Sequence, residues 1–442
     1  MTKRIFSLAV AALLCTMGAL AADRAHTLKV YNWADYIDMD NVLASFPEWY
    51  KAQTGEEVDV IYQTFDINES MLTQIEVGKE DYDVVCPSEY IIERMLKMNL
   101  LQKIRKDLVP DSVYYFNNVA PFVAEKFQQI APEGMLASDY TVGYMGGTTG
   151  WMYNPKVLEE NGVDISLLKS WGALTNPVFK NHIYMKDAFR DVYSVLVLYA
   201  YRDELAAGKV TKEELMTDIT DERIARVENL LVEAKDNIAG WEVDFGKEEM
   251  TKGKMWLNLS WSGDAQWAID EAAEMGLELR YMVPDEGSNV WYDGWVIPIY
   301  AKNPVAATFF IDYMCKPENA IHNMEEIGYV SVIATPEIFE WANDEEAWPE
   351  TVDASYFFGD IAKNAHLNPV QYPDISVINK CALMHDAGDQ TEALIAMWNR
   401  VKGDNLSTGV MIFLILVVLC VIAYGIYIVS KNNKHKNPKR RR

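Results

Sequence analysis

The chain has 442 residues, with 65 Asp or Glu against 40 Lys or Arg and a formal net charge of −25. So acidic a protein repels nucleic acid and anionic lipid and attracts cations, so nucleic acid is not expected as a partner. The length exceeds what one hydrophobic core fills, and two lobes are expected.

Lys3 and Arg4 precede an apolar run over residues 5–20 that ends in Ala19-Leu20-Ala21. A basic start, a short apolar stretch and small residues at that spacing form a secretory signal, here residues 1–22. Leu14 is too bulky for a lipid-attachment motif at Cys15. The mature chain then alternates strand and helix. Residues 28–32 read as a strand, 40–54 as a helix ending at Gly55, and 57–62 as a second strand. Residues 68–77 form a predicted helix stopped by Gly78, followed by a third strand over 82–86 and a third helix over 89–98. Such alternation implies right-handed βαβ units and a parallel sheet.

A second set follows from about residue 141. "GTTGWMYNP" reads as a strand entering a turn, and the Gly-rich "YMGGTTG" at 144–150 as a backbone hinge or strand turn. "SVLVLYAYRDELAAG" and "DERIARVENLLVEAK" carry helical periodicity, whereas "KMWLNLSW" and "GWVIPIYA" read as strands. After a spacer at 404–409, residues 410–429 are uncharged, apolar and about as long as a bilayer span requires. Seven Lys or Arg follow in the tail over 430–442, the pattern of a cytoplasmic flank. A single C-terminal transmembrane helix is therefore expected. It would anchor the exported domain at the periplasmic face of a bacterial cytoplasmic membrane.

Ligands of open parallel sheets sit beyond the carboxyl ends of the strands. Trp33, Asp35 and Tyr36 lie just past the first strand, Ser88 past the third, and Trp261 and Asp264 past "KMWLNLS". Trp291, Tyr292 and Asp293 form a further group just before a strand. An organic cation needs carboxylate or hydroxyl acceptors for its ammonium groups and gains from aromatic faces. These segments supply both. Each ring also has an alternative as core packing, and each carboxylate as a helix cap; Asp264 in "SGDA" is the most ambiguous.

Catalytic patterns are missing from the sequence. None of the six histidines stands in a nucleophile or metal motif, and no GxSxG, HExxH or phosphate-binding loop occurs. No enzyme activity, cofactor or metal is expected. Cys86, Cys315 and Cys381 remain in the exported part, an odd number that leaves open one disulfide or none.

In order along the chain, "VYNWADYI", "YDVVCPSEYIIERM", "WSGDA", "WYDGWVIP" and "IGYVSV" resemble the periplasmic spermidine/putrescine-binding proteins of ABC transporters, over residues 28–402. The resemblance implies an α/β, two-lobe periplasmic-binding-protein fold of type II, with lobe 1 from 27–140 and 291–335 and lobe 2 from 141–290 and 336–403. It implies polyamine-binding roles for Trp33, Asp35, Tyr36, Ser88, Trp261, Asp264, Trp291, Asp293 and Tyr329, and for Asp191 in "KDAFRDVYS". Ala34 replaces a hydroxyl of some members, and Ala188 an acid of spermidine-preferring ones. Asp264 leans toward the shorter diamine. The expected function is a membrane-tethered binding component of a putrescine or spermidine importer, monomeric and partnered by a permease with its ATPase. The alternative is a sensor that reports the bound amine to a signalling protein.

Overall fold

The computed structural model describes residues 24–403 apart from 244 and 254. The expected signal (1–22), spacer (404–409), apolar span (410–429) and basic tail (430–442) lie outside the described residues. Among the described residues no helix is long and apolar enough to cross a membrane. Helices such as Asp221–Glu233 reach 13 residues and interleave charges with apolar positions, as packing one face on a sheet requires, whereas a bilayer span needs about 20 apolar residues. The expectations of a C-terminal transmembrane helix and of a membrane-anchored location are corrected on this finding.

The first elements are Thr27–Trp33 (β1), Phe46–Thr54 (α1), Asp59–Phe65 (β2), Asn68–Glu76 (α2), Val84–Val85 (β3) and Glu89–Lys97 (α3). They follow the predicted alternation, with one difference. The helix expected over 40–54 is broken into a turn at Met39–Leu43 and α1. Pro47 explains the restart, since a residue without an N–H fits only the first helical turn. The earlier turn is capped by Asp38, whose Oδ1 accepts from the Asp40 and Asn41 amides at 3.0 and 2.8 Å. Gly55 closes α1 at φ 79°, a left-handed position suited to glycine.

The second set comprises Thr141–Tyr153 (β4), Ile183–Lys186 (β5), Phe189–Ala200 (α4), Asp221–Glu233 (α5), Ile238–Glu242 (β6), Leu257–Trp261 (β7), Ser262–Glu274 (α6), Asn289–Pro298 (β8), Pro317–Ile327 (α7) and Thr391–Gly403 (α8). The strand order is β2-β1-β3-β8-β4-β7-β5-β6. β1 pairs parallel with β2 and β3, and β5 parallel with β6 and β7. Between these sets run β8 and β4, antiparallel to each other and to their outer neighbours.

These two long strands depart most from the sequence reading. The Gly-rich stretch is the middle of β4, not a turn, and Trp291 to Asp293 lie inside β8 rather than before it. Every residue of β8 is buried. A strand covered on both faces shows no polar–apolar alternation to mark its start. Gly147 has no Cβ for a packing reason: one would lie 2.4 Å from Ser262 Oγ and 2.7 Å from the Trp291 ring.

One core gathers Leu28, Val30, Phe46, Met145, Trp295 and Phe310. A second gathers Trp151, Trp171, Val195, Leu257 and, from α8, Leu394 and Trp398. Ile338, Val352 and Tyr372 pack in the first core, although residues 336–403 were expected with the second lobe. Cys86, Cys315 and Cys381 are buried, unbridged thiols. Gly147→Ala is expected to lower unfolding stability by about 1–3 kcal/mol, from the overpacking it forces. Denaturant titration measures this, and an unchanged midpoint would refute the close approach.

Candidate ligand-binding site

The ends of β1, β2, β3, β5, β6 and β7 open toward one cavity of about 420 Å³, and α2, α4, α8 and the β8 residues Trp291 and Asp293 complete its walls. All ten residues singled out from the sequence line it: Trp33, Asp35, Tyr36, Ser88, Asp191, Trp261, Asp264, Trp291, Asp293 and Tyr329. Asp35 is the exposed member, and Trp33 and Trp261 are half-buried. The other seven are at most 9 % exposed.

The turn after β1 has Asp35 at φ 48°, a left-handed conformation that Asp adopts more readily than most residues. Tyr144 Oη donates to the Tyr36 carbonyl at 2.7 Å and holds that turn. Tyr36 Oη then donates to Asp293 Oδ2, and Ser88 Oγ to Asp293 Oδ1, both at 2.7 Å. An isolated bridge pairs Ser88 with Asp293, and the Gly294 amide donates to the Pro87 carbonyl at 3.0 Å. Asn68 Nδ2 supports Ser88 Oγ at 3.0 Å. The Asp293 carboxyl therefore faces the cavity with two hydroxyl donors on it.

Burial pushes the Asp293 carboxyl up to about 7, against the pull of the Ser88 and Tyr36 bonds, and repulsion from Asp191 adds to the rise. Burial also raises Asp191, opposed by hydrogen bonds from Asn289 (Nδ2 to Oδ1, 2.9 Å) and Trp261. Rings close the same space. Tyr329 packs edge-on to Tyr36 at 5.1 Å and to Trp291 at 5.6 Å between centroids, and Trp33 tilts against Phe65 at 4.5 Å.

Asp264 differs from Asp293. Its Oδ1 accepts from Tyr329 Oη at 2.9 Å, and its Oδ2 lies 2.6 Å from the Lys186 ammonium. Burial would raise its carboxyl, yet the charges of Lys186 and Lys247 hold it below the usual range. Lys186 was missed from sequence, although "KDAFRDVYS" begins with it. A Lys ending a short apolar strand, with Glu242 ending the next, was the available signal. Arg190 was also missed. It lines the cavity with its Nε and Nη1 buried and unpartnered, and its guanidinium lies 5.0 Å from the Tyr90 ring centre. Among the described residues no group of three or more His, Cys, Asp or Glu is arranged to hold a metal ion.

The model of the bacterial extracellular solute-binding protein family matches residues 48–350. The chain belongs to that family. It is therefore a solute-binding transporter component and not an enzyme. The spermidine/putrescine-binding periplasmic protein of Salmonella typhimurium is 29 % identical over 350 residues, 78 % of this chain and 89 % of that protein. The putrescine-binding periplasmic protein PotF of Escherichia coli is 27 % identical over 334 residues, 73 % of this chain and 82 % of that one. A solved Listeria monocytogenes structure described as a spermidine/putrescine ABC transporter superposes with a TM-score of 0.64 at 26 % identity, covering 85 % of this chain and 99 % of its own. These relatives bear out the kinship read from the motifs.

The folded Asp293 carboxyl sits above its unfolded value. It thus favours the folded state fully below about pH 4, and that contribution is lost as pH rises through about 7. Asp293→Asn removes the buried charge. The ligand-free variant should match the parent near pH 4 and exceed it at pH 8 by an amount on the order of 2–4 kcal/mol. Chemical unfolding at the two pH values checks this. A variant less stable than the parent at pH 8 would contradict the assignment.

Proposed function

We propose that this protein captures a linear aliphatic polyamine in the cavity and presents it to the permease of an ABC importer. The observation that carries the reading is the Asp293 carboxyl, buried at the cavity wall and held, among the described residues, by the Ser88 and Tyr36 hydroxyls. An ammonium placed on it would restore its ionisation and receive a charge-assisted hydrogen bond. Asp191 and Asp35, in the same lining, offer acceptors to a second amine. Trp33, Tyr36, Trp261 and Trp291 cover the methylenes, and each ring facing a cation adds about 0.5–2 kcal/mol. The relatives named for spermidine and putrescine support the same ligand class.

The step is capture, with no covalent change. The two cores are joined by the β4–β8 pair, so the halves can close over the amine while that pair stays intact. A ligand touching both halves favours the closed state by its differential affinity, and the permease recognises that state. The second amine acceptor would come from the α4 side, through Asp191, while Asp293 belongs to the crossing strand.

Calorimetry of the purified protein with putrescine, spermidine and spermine tests the reading, and no heat with any of the three would overturn it. Asp293→Asn should weaken binding by about 2–5 kcal/mol, the usual loss on truncating a buried charge pair. Below about pH 7 the free carboxyl is protonated and must lose its proton to bind a cation. Affinity is therefore expected to fall about tenfold per pH unit below 7, with proton release seen as a dependence of the heat on buffer ionisation. A flat profile between pH 5 and 7 would remove Asp293 from the ammonium site.

A further inference from the structure

The cavity has two carboxylate poles, and they are not equivalent. Among the described residues, Asp293 carries only neutral hydroxyl donors. Asp264 already carries an ammonium. Lys186 Nζ lies 2.6 Å from Asp264 Oδ2 and 3.2 Å from Glu242 Oε1, and it donates to the Val243 carbonyl. It also sits 4.4 Å from the centre of the Trp261 ring. Two carboxylates, a carbonyl and an indole face are the groups that bind a primary ammonium from solution.

This cage follows from the sheet. Lys186 ends β5, Glu242 ends β6 and stands opposite Lys186 in the parallel register, and Trp261 ends β7. Asp264 then occupies the first turn of α6. Trp261, Asp264, Val243 and Lys247 all line the cavity, whereas Lys186 lies fully buried behind that wall. Lys247 brings a second positive charge to 3.5 Å from Asp264 Oδ1. Against Lys186 and Lys247 stand Asp264 and Glu242, so this pole is neutralised from within.

Resting on the polyamine reading above, we infer that Lys186 is a specificity-determining residue. Its tethered ammonium occupies the cage that a further ligand ammonium would take, and this sets the cavity for a short diamine rather than a triamine. A longer amine would have to bring its extra charge against Lys186 and Lys247, with no carboxylate left unneutralised there. Removing the lysine side chain would join the cage to the cavity and leave Asp264, Glu242 and the Trp261 face to the ligand.

The test compares the parent with Lys186→Ala and Lys186→Met by calorimetry, using putrescine and spermidine. The parent should bind putrescine more tightly. Lys186→Ala should move the affinity ratio toward spermidine by about tenfold or more, as one new charge-assisted contact implies. Lys186→Met keeps the stem without the charge, so it should shift the ratio less. An unchanged ratio in folded Lys186→Ala would overturn the inference. A parent that binds neither amine would instead sink the polyamine reading, and a second measurement then decides on the cage. Lys186→Ala removes the nearest cation from two buried carboxylates, so its recovery and melting temperature are read with n-butylammonium chloride, with sodium chloride and with n-butanol. Rescue by the ammonium alone supports a cage for a primary amine. Equal behaviour in all three would show a structural ion pair with no ligand role, and would overturn the inference.

Discussion

Two strands running side by side constrain everything else in this fold. β4 and β8 pair antiparallel at the centre of the sheet, and each is flanked by a parallel set that belongs to a different core. Residues at one end of β4, such as Val142 and Met145, pack in the first core, and Trp151 and Tyr153 pack in the second. A strand buried on both faces has no room for a charged side chain unless a cavity meets it. Asp293 lies where the cavity meets β8, which is why its carboxyl is both deeply buried and facing the cavity.

Buried charge must be matched, and two carboxyls of this lining, Asp293 and Asp264, meet that need differently. At Asp293 no cation of the described residues pairs with the carboxyl, hydroxyls hold it, and burial raises it to about 7, so that it stands about half protonated near neutral pH. At Asp264 the chain supplies its own cation through Lys186, and the carboxylate is ionised. On the proposed reading the first carboxyl is therefore the one that responds to an arriving ammonium, whereas the second is already paired. On that proposed reading, recognition and internal stability are allotted to different carboxylates within one lining.

Much of the site was legible because strand ends converge. The βαβ alternation placed Trp33, Asp35 and Tyr36 on the same sheet edge as Ser88 and as Trp261 with Asp264, and the cavity gathers them. The ordered motifs pointed to the family that the matched region establishes. Two features were not legible in the same way. β4 and β8 lack alternation because both faces are covered, so a central strand pair was read as a turn and a strand start. Lys186 was passed over because a lysine is ordinarily a surface residue; only the neighbouring strand end, Glu242, and the turn of α6 make its burial affordable.

The amino-acid order by itself determined the local elements, the acidic character, the family and the kinds of side chain delivered to the sheet edge. These depend on periodicity, capping and spacing, which act over a few residues. Tertiary structure alone decided which carboxylates stand free and which are already paired. That outcome depends on contacts between residues 186, 242 and 264 and between residues 36, 88 and 293, far apart in the chain. Their protonation follows from burial and from the sign of the nearest charge, and neither is defined until the strands lie side by side.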